Sequence, residues 1–259
     1  MEKSYYRKYY DYERKHWWFQ TRNNLLMKII EQNVFTPGKK IKILNVGAGT
    51  GFTSELLSKY GEVVSIEYEK SCVEFINETT SLHLIEGSIL DLQYADNTFD
   101  LVCAFDVIEH VEDDTKAVSE MTRVAKKDGY VFISVPAFQS LWSKHDEINH
   151  HYRRYTKAQV LSLFAKENKL QNIYATYFNT VLFIPIYAAR MLNNLKGKIA
   201  GGKTKNLSQS STDFDMASSG LSSKILKWLF SREGSIVSKK YSLPFGVSFT
   251  LLTQKTTSI

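Results

Sequence analysis

The chain has 259 residues, 43% of them hydrophobic, and carries 33 Lys and Arg against 27 Asp and Glu for a formal net charge of +6. This length and apolar content support one large α/β domain with a sizeable core and exclude a disordered chain. The basic residues are dispersed with no run of five, so no nucleic-acid partner is expected, and Cys72 and Cys103 read as small buried hydrophobes in a reducing compartment rather than a disulfide framework.

The first segment, Tyr5–Ile30, is crowded with aromatics. It holds no apolar signal-peptide core, and no run in the chain is long enough to span a bilayer, so a cytoplasmic protein is expected. Asn24–Ile30 has the spacing of a core-packing amphipathic helix. The cluster His16-Trp17-Trp18-Phe19-Gln20-Thr21-Arg22 is denser than packing usually requires, and either packs or covers a ligand.

From Lys40 to Pro136, strand-like and helix-like segments alternate, the pattern of a parallel sheet wrapped by helices. Strands are expected at Ile41–Val46, Glu62–Glu67, Leu82–Glu86, Phe99–Phe105 and Tyr130–Val135. The first runs into Gly47-Ala48-Gly49-Thr50-Gly51, where a sharp turn needs backbone angles that a Cβ disfavours and leaves N–H groups open to a ligand. A dinucleotide fingerprint would place its third glycine at Phe52; here it arrives one residue early, at Gly51, which argues against a nicotinamide or flavin enzyme.

A helix is expected over Lys157–Asn168, capped by Thr156, then a strand at Asn172–Phe178. Its natural partner, Val247–Thr253, is delayed by nearly seventy residues, too many for an ordinary connection. In this interval Val181–Leu195 is mixed, Gly197–Ser219 has the composition of a mobile stretch, and Leu221–Phe230 sets Leu221, Ile225, Leu226 and Leu229 on one helical face. It is either a helical hairpin packed on the core, or a lid or shallow membrane-contacting surface. The expected fold is one Rossmann-like, doubly wound α/β domain with a mostly parallel seven-stranded sheet and helices on both faces. Residues 1–38 form a helical cover, 39–178 a cofactor-binding core, 179–245 a helical and mobile insertion, and 246–259 the final strand and tail.

Ligands in open α/β sheets sit beyond the carboxyl ends of the strands. That rule gathers the glycine turn, Glu67, Gly87-Ser88 and Asp106-Val107-Ile108-Glu109-His110 into one crevice, and an acid placed like Glu67, twenty residues beyond Gly47, suits ribose hydroxyls. Histidine suits proton removal near neutral pH, which brings in His110 and, after the fifth strand, His145, His150 and His151.

Asn45–Gly51, Glu67, Gly87-Ser88, Phe99–Val102, Asp106–His110 and Gly129–Pro136 together resemble the class I S-adenosylmethionine-dependent methyltransferases, of the broad type 11 group, with Pro244–Ser248 similar to the group's last strand. The His-Trp-Trp-Phe-x-x-Arg pattern and His145–Thr156 resemble a bacterial subgroup often met near polysaccharide and lipid biosynthesis. The resemblance implies S-adenosylmethionine as cofactor. It implies that Gly47, Ala48, Gly49 and Gly51 border the methionine moiety, with Asn45 and Ser88 standing where the group usually has acids. Glu67 would hold the ribose, Tyr68 and Ile89 sandwich the adenine, Phe105 and Asp106 approach the methionine amino group, and Arg22 pair with its carboxylate.

The acceptor is expected to be small, saccharide or lipid-like, methylated on oxygen, with His110, His145 and His151 as candidate catalytic groups. A catalytically silent cofactor-binding subunit and a peripheral membrane-associated binding protein are the alternatives. Asp106, Glu109 and His110, at i, i+3 and i+4 of a starting helix, could share a face with His145 or His151, as in a minority of metal-assisted methyltransferases. No metal is assigned.

Overall fold

The structure, a computed structural model, describes residues 3–184, 187, 221–237 and 240–256. Two helices lead, α1 (Lys3–Lys15) and α2 (Trp17–Asn33), followed by β1 (Ile41–Val46), α3 (Phe52–Leu57), β2 (Gly61–Glu67), α4 (Lys70–Thr79), β3 (Leu84–Glu86) and β4 (Phe99–Phe105). Then come α5 (Asp114–Val124), β5 (Ala125–Pro136), α6 (Lys144–Ile148), α7 (Lys157–Ala165), β6 (Leu170–Phe178), α8 (Leu221–Val237) and β7 (Ser248–Lys255).

The strands form one seven-stranded sheet in the order β3-β2-β1-β4-β5-β7-β6, in which only β7 runs against its neighbours. Strands β1 and β4 carry apolar residues at nearly every position because both faces of the sheet centre are covered. Alternation divides them. Leu44, Val46, Val102 and Ala104 join the core under α5 and α7, whereas Ile43, Leu101, Cys103 and Phe105 join the one under α2 and α8. Cys72 and Cys103 are both buried and free, and burial pushes the Cys72 thiol up to about 12. Among the described residues no helix is long and apolar enough to cross a membrane.

Some boundaries differ from expectation. Strand β5 starts at Ala125 rather than Tyr130, because Ala125 pairs with Phe99 across a bulge and Lys126 forms an ion pair with Asp100 at 3.0 Å. Strand β3 is shorter: Leu82 leaves the sheet and closes over Gly51. Helix α7 ends at Ala165, not Asn168, but starts as expected, with Thr156 and Gln159 capping each other.

Of the long connection, the Gly197–Ser219 stretch and most of Val181–Leu195 lie outside the described residues, as do the side chains of Leu221, Ile225 and Leu226. The part of α8 that is described packs on the core through Phe230, Glu233, Gly234 and Val237, while Leu229 stays partly exposed. Phe230 sits edge-on to Trp17 at 6.4 Å, so Trp17 is a core residue. His16 and Phe19 are likewise buried, with Tyr12 stacked on His16 at the joint between α1 and α2. The two ends of the connection are tied together. The Glu233 carboxylate accepts from the N–H groups of Asn179 (2.6 Å) and Val181 (3.0 Å), and the Thr180 hydroxyl donates to the Phe245 carbonyl at 2.7 Å.

Candidate active site

The parallel register aligns Val46 with Ile66 on one side and Ala104 on the other, so the glycine turn, Glu67 and Asp106 emerge from one edge of the sheet. All three turn glycines adopt positive φ: +66° at Gly47, +54° at Gly49 and +80° at Gly51. Their surroundings differ. A Cβ on Gly47 would run into the Val107 side chain and one on Gly51 into Leu82, but one on Gly49 would meet nothing within 4 Å. Gly49 thus presents bare backbone to open space. Glu67 stands beside it, one carboxylate oxygen accepting from Gly49 N–H at 2.8 Å and the other from Glu69 N–H at 3.0 Å.

Asn45 is buried and donates to Thr53 Oγ1 (2.9 Å) and Ser54 Oγ (2.8 Å), fastening the turn to the start of α3. Its side chain therefore shapes the turn rather than offering the amide to a ligand. Helix α1 lies across the same turn. Thr50 donates to Glu13, and the Arg14 guanidinium reaches the Thr50 carbonyl at 3.2 Å and Glu55 at 2.5 Å. Glu13 and Arg14 are site neighbours that sequence reasoning missed; two adjacent charges inside an aromatic-rich helix were the available signal.

At the end of β4, Asp106 takes a left-handed conformation with φ +57°. Buried Arg22 donates to it at 2.6 Å and to Ser134 at 3.0 Å, and the Ser134 hydroxyl donates to the other Asp106 oxygen at 3.0 Å. Arg22 is thereby committed to a protein carboxylate; only its Nε is without a hydrogen-bond partner. Phe105 turns into the core, edge-on to Phe132 at 5.2 Å, which leaves its backbone at the strand end. Tyr68 is 76% exposed, Ile89 is buried in the core, and Ser88 Oγ accepts from Leu90 N–H at 3.1 Å. Ser134, a hydroxyl in an apolar strand, was not singled out from sequence.

A second group of polar residues lies just past Asp106. Glu109 and His110 occupy a 3-10 turn, Ile108–His110, rather than a regular helix. Asp106 is drawn off to Arg22, and the third member of the cluster is His151, whose ring lies perpendicular to that of His110 with centroids 4.5 Å apart. This replaces the expected face of Asp106, Glu109 and His110. His145, in α6, is 6.3 Å from His151 by centroid and is contacted by Asn149, outside the cluster.

His151 Nδ1 pairs with Asp146 at 2.8 Å, and Asp146 also takes two bonds from buried Arg154, at 2.7 and 3.1 Å. Burial opposes charge on Asp146, but these bonds outweigh it and hold the carboxyl well below the usual range. Loss of surrounding water in this corner, then the nearness of His151, lowers His110 to about 4, so its ring is neutral at pH 7. Glu109 is fully buried, with neither carboxyl oxygen bonded to any described residue; burial, then the Asp106 charge, raises its pKa well above the usual value.

This sheet order, with its reversed β7 and a glycine turn facing an acid across the strand ends, is a fold that the chain shares with solved methyltransferase structures. Residues 44–133 match the family described as "Methyltransferase domain", and the chain is similar to proteins described as S-adenosylmethionine-dependent methyltransferases. The ubiquinone biosynthesis O-methyltransferase of Dictyostelium discoideum is 27% identical over 124 residues, 41% of this chain and 39% of that protein. The demethylmenaquinone methyltransferase of Staphylococcus haemolyticus is 28% identical over 136 residues (49% and 56%), and norajmaline N-methyltransferase of Rauvolfia serpentina 35% over 116 (40% and 39%). The matched region thus spans only 39% to 56% of these relatives' own length. Among solved structures, a SAM-dependent methyltransferase from Archaeoglobus fulgidus superposes with a TM-score of 0.52 at 13% identity, covering 90% of this chain and 94% of that one. That likeness is one of fold.

Proposed function

We propose that this chain transfers the methyl group of S-adenosylmethionine to an oxygen of a small-molecule or lipid-like acceptor. The observation that carries the reading is the bare face of Gly49 between Glu67 and the Arg22-held Asp106, an open cradle bordered by carboxylates suited to hydroxyl and ammonium groups. The cofactor supplies a methyl already activated by its sulfonium, so the chain's task is to align, exclude water and handle a proton. Gly47, Ala48, Gly49 and Gly51 border the methionine end. Glu67 accepts from the ribose, and Tyr68, Ser88 and Ile89 flank the base. Asp106 receives the amino group, with Arg22 and Ser134 fixing its carboxylate. Asn45 and Phe105 act through the shape of the turn and the strand end.

An oxygen acceptor must lose a proton, and the corner of His110 and His151 is where imidazoles stand nearest to Asp106, with the His110 ring held neutral there. His145 belongs to the wall beside it. The name of one relative, the O-methyltransferase of Dictyostelium discoideum, agrees with an oxygen acceptor. Calorimetry with S-adenosylmethionine and S-adenosylhomocysteine, followed by labelled-methyl transfer to phenol, catechol and amine panels, tests the proposal. Binding followed by methylated oxygen is the expected result. Binding without turnover on any acceptor supports a silent subunit instead, and absence of binding refutes the cradle.

A further inference from the structure

We propose that Glu109, His110 and His151 form a binding site for one divalent transition-metal cation at the acceptor end of the crevice. Their ligand atoms all lie within 4.8 Å of one another, and they come from two segments, the turn after β4 and the stretch after α6, joined by the Tyr152 N–H donating to the Glu109 carbonyl at 2.7 Å. The decisive residue is Glu109. It is sealed from water with both oxygens unbonded among the described residues, and buried polar atoms almost always have a partner, which a bound cation would supply.

His151 is prepared for the same role. Its Nδ1 faces Asp146, which leaves Nε2 free, and Asp146 is locked by Arg154; a carboxylate that orients a histidine from behind is the usual outer partner of a metal-bound imidazole. Ligands around a zinc-sized ion at about 2.0–2.1 Å stand roughly 3.3 Å apart, inside the 4.8 Å that bounds the separations of these ligand atoms. His110 is the exposed member of the group, His151 is half-buried and Glu109 buried. Two imidazoles and one carboxylate suit zinc, cobalt, iron or manganese better than magnesium or calcium, and three protein ligands leave a position for an acceptor oxygen. With the cation present, His110 and His151 act as ligands rather than as bases.

Binding is measured without turnover, so failure of this site and failure of the methyl-transfer proposal are distinguishable. Chelator-treated full-length protein is titrated with zinc chloride by calorimetry and with cobalt chloride by visible absorption. The expected result is one equivalent bound, a rise in melting temperature, and binding weakened at least tenfold in His110→Ala and Glu109→Gln and by about 10–100-fold in Asp146→Asn. His83→Ala, an exposed histidine distant in sequence, should bind as wild type. His110→Ala keeps the test valid where a buried variant fails to fold. No saturable one-to-one binding by the wild type, or wild-type affinity in folded His110→Ala, overturns the proposal.

Discussion

Gly47 and Gly49 provide a paired experiment that separates what the turn does for stability from what it does for binding. Both hold φ near +60°, where an alanine is strained by about 1–2 kcal/mol. At Gly49 that is the whole effect, since a methyl group there meets nothing within 4 Å. At Gly47 the methyl group also runs into Val107, which adds about 1–3 kcal/mol of overpacking. Urea unfolding should therefore show Gly49→Ala losing about 1–2 kcal/mol and Gly47→Ala about 2–5. Affinity should not follow that ranking. The Gly49 methyl group projects into the space assigned to the cofactor, so calorimetry on the still-folded Gly49→Ala should show S-adenosylmethionine binding at least tenfold weaker, or about 1.4 kcal/mol. Wild-type affinity in Gly49→Ala would refute the cradle, and equal stability losses in the two variants would refute the role of Val107.

Removing the fully buried Phe230 ring from between α8 and Trp17 should cost about 3–5 kcal/mol in Phe230→Ala, read from the denaturation midpoint; a loss under 1 kcal/mol would mean that α8 is not part of the core. Arg22→Met strips the donors from Asp106 and Ser134. Because 36% of the Asp106 side chain stays in contact with solvent, the expected loss is about 1–3 kcal/mol, below that of a fully buried pair. Glu120, hydrogen-bonded first by Arg123, has its carboxyl lowered to about 2. A depressed folded-state pKa gives stability that is present above the unfolded value near 4.3 and fades as pH falls toward 2, so the gap between wild type and Glu120→Gln should be widest above pH 5 and narrow steadily below it.

Central strands could be read from sequence because β1 and β4 are buried on both faces and appear as unbroken apolar runs. The start of β5 could not, since Lys126, Lys127 and Asp128 look like a turn until Asp100 is seen across from Lys126. The glycine turn and Glu67 were legible for the same local reason, that backbone angle and chain spacing are written in consecutive residues. The pairs Arg22–Asp106 and Asp146–Arg154 were not; each depends on how distant segments meet, and a charge on a helix reads alike whether it ends in solvent or in a buried ion pair. The sequence offered His145 or His151 as a companion to Asp106, Glu109 and His110; which of the two joins the group, and that Asp106 is held instead by Arg22, depend on how distant segments meet.

The clasp formed by Glu233, Thr180 and Phe245 bears on how this domain can change over evolution. With both ends of the connection already held together, doubling the length between residues 184 and 221 adds only about 0.6 kcal/mol of closure entropy. The β6–β7 pairing carries none of that change. Whole modules could be exchanged at this position while the sheet keeps its register, which makes it the natural graft point of the domain.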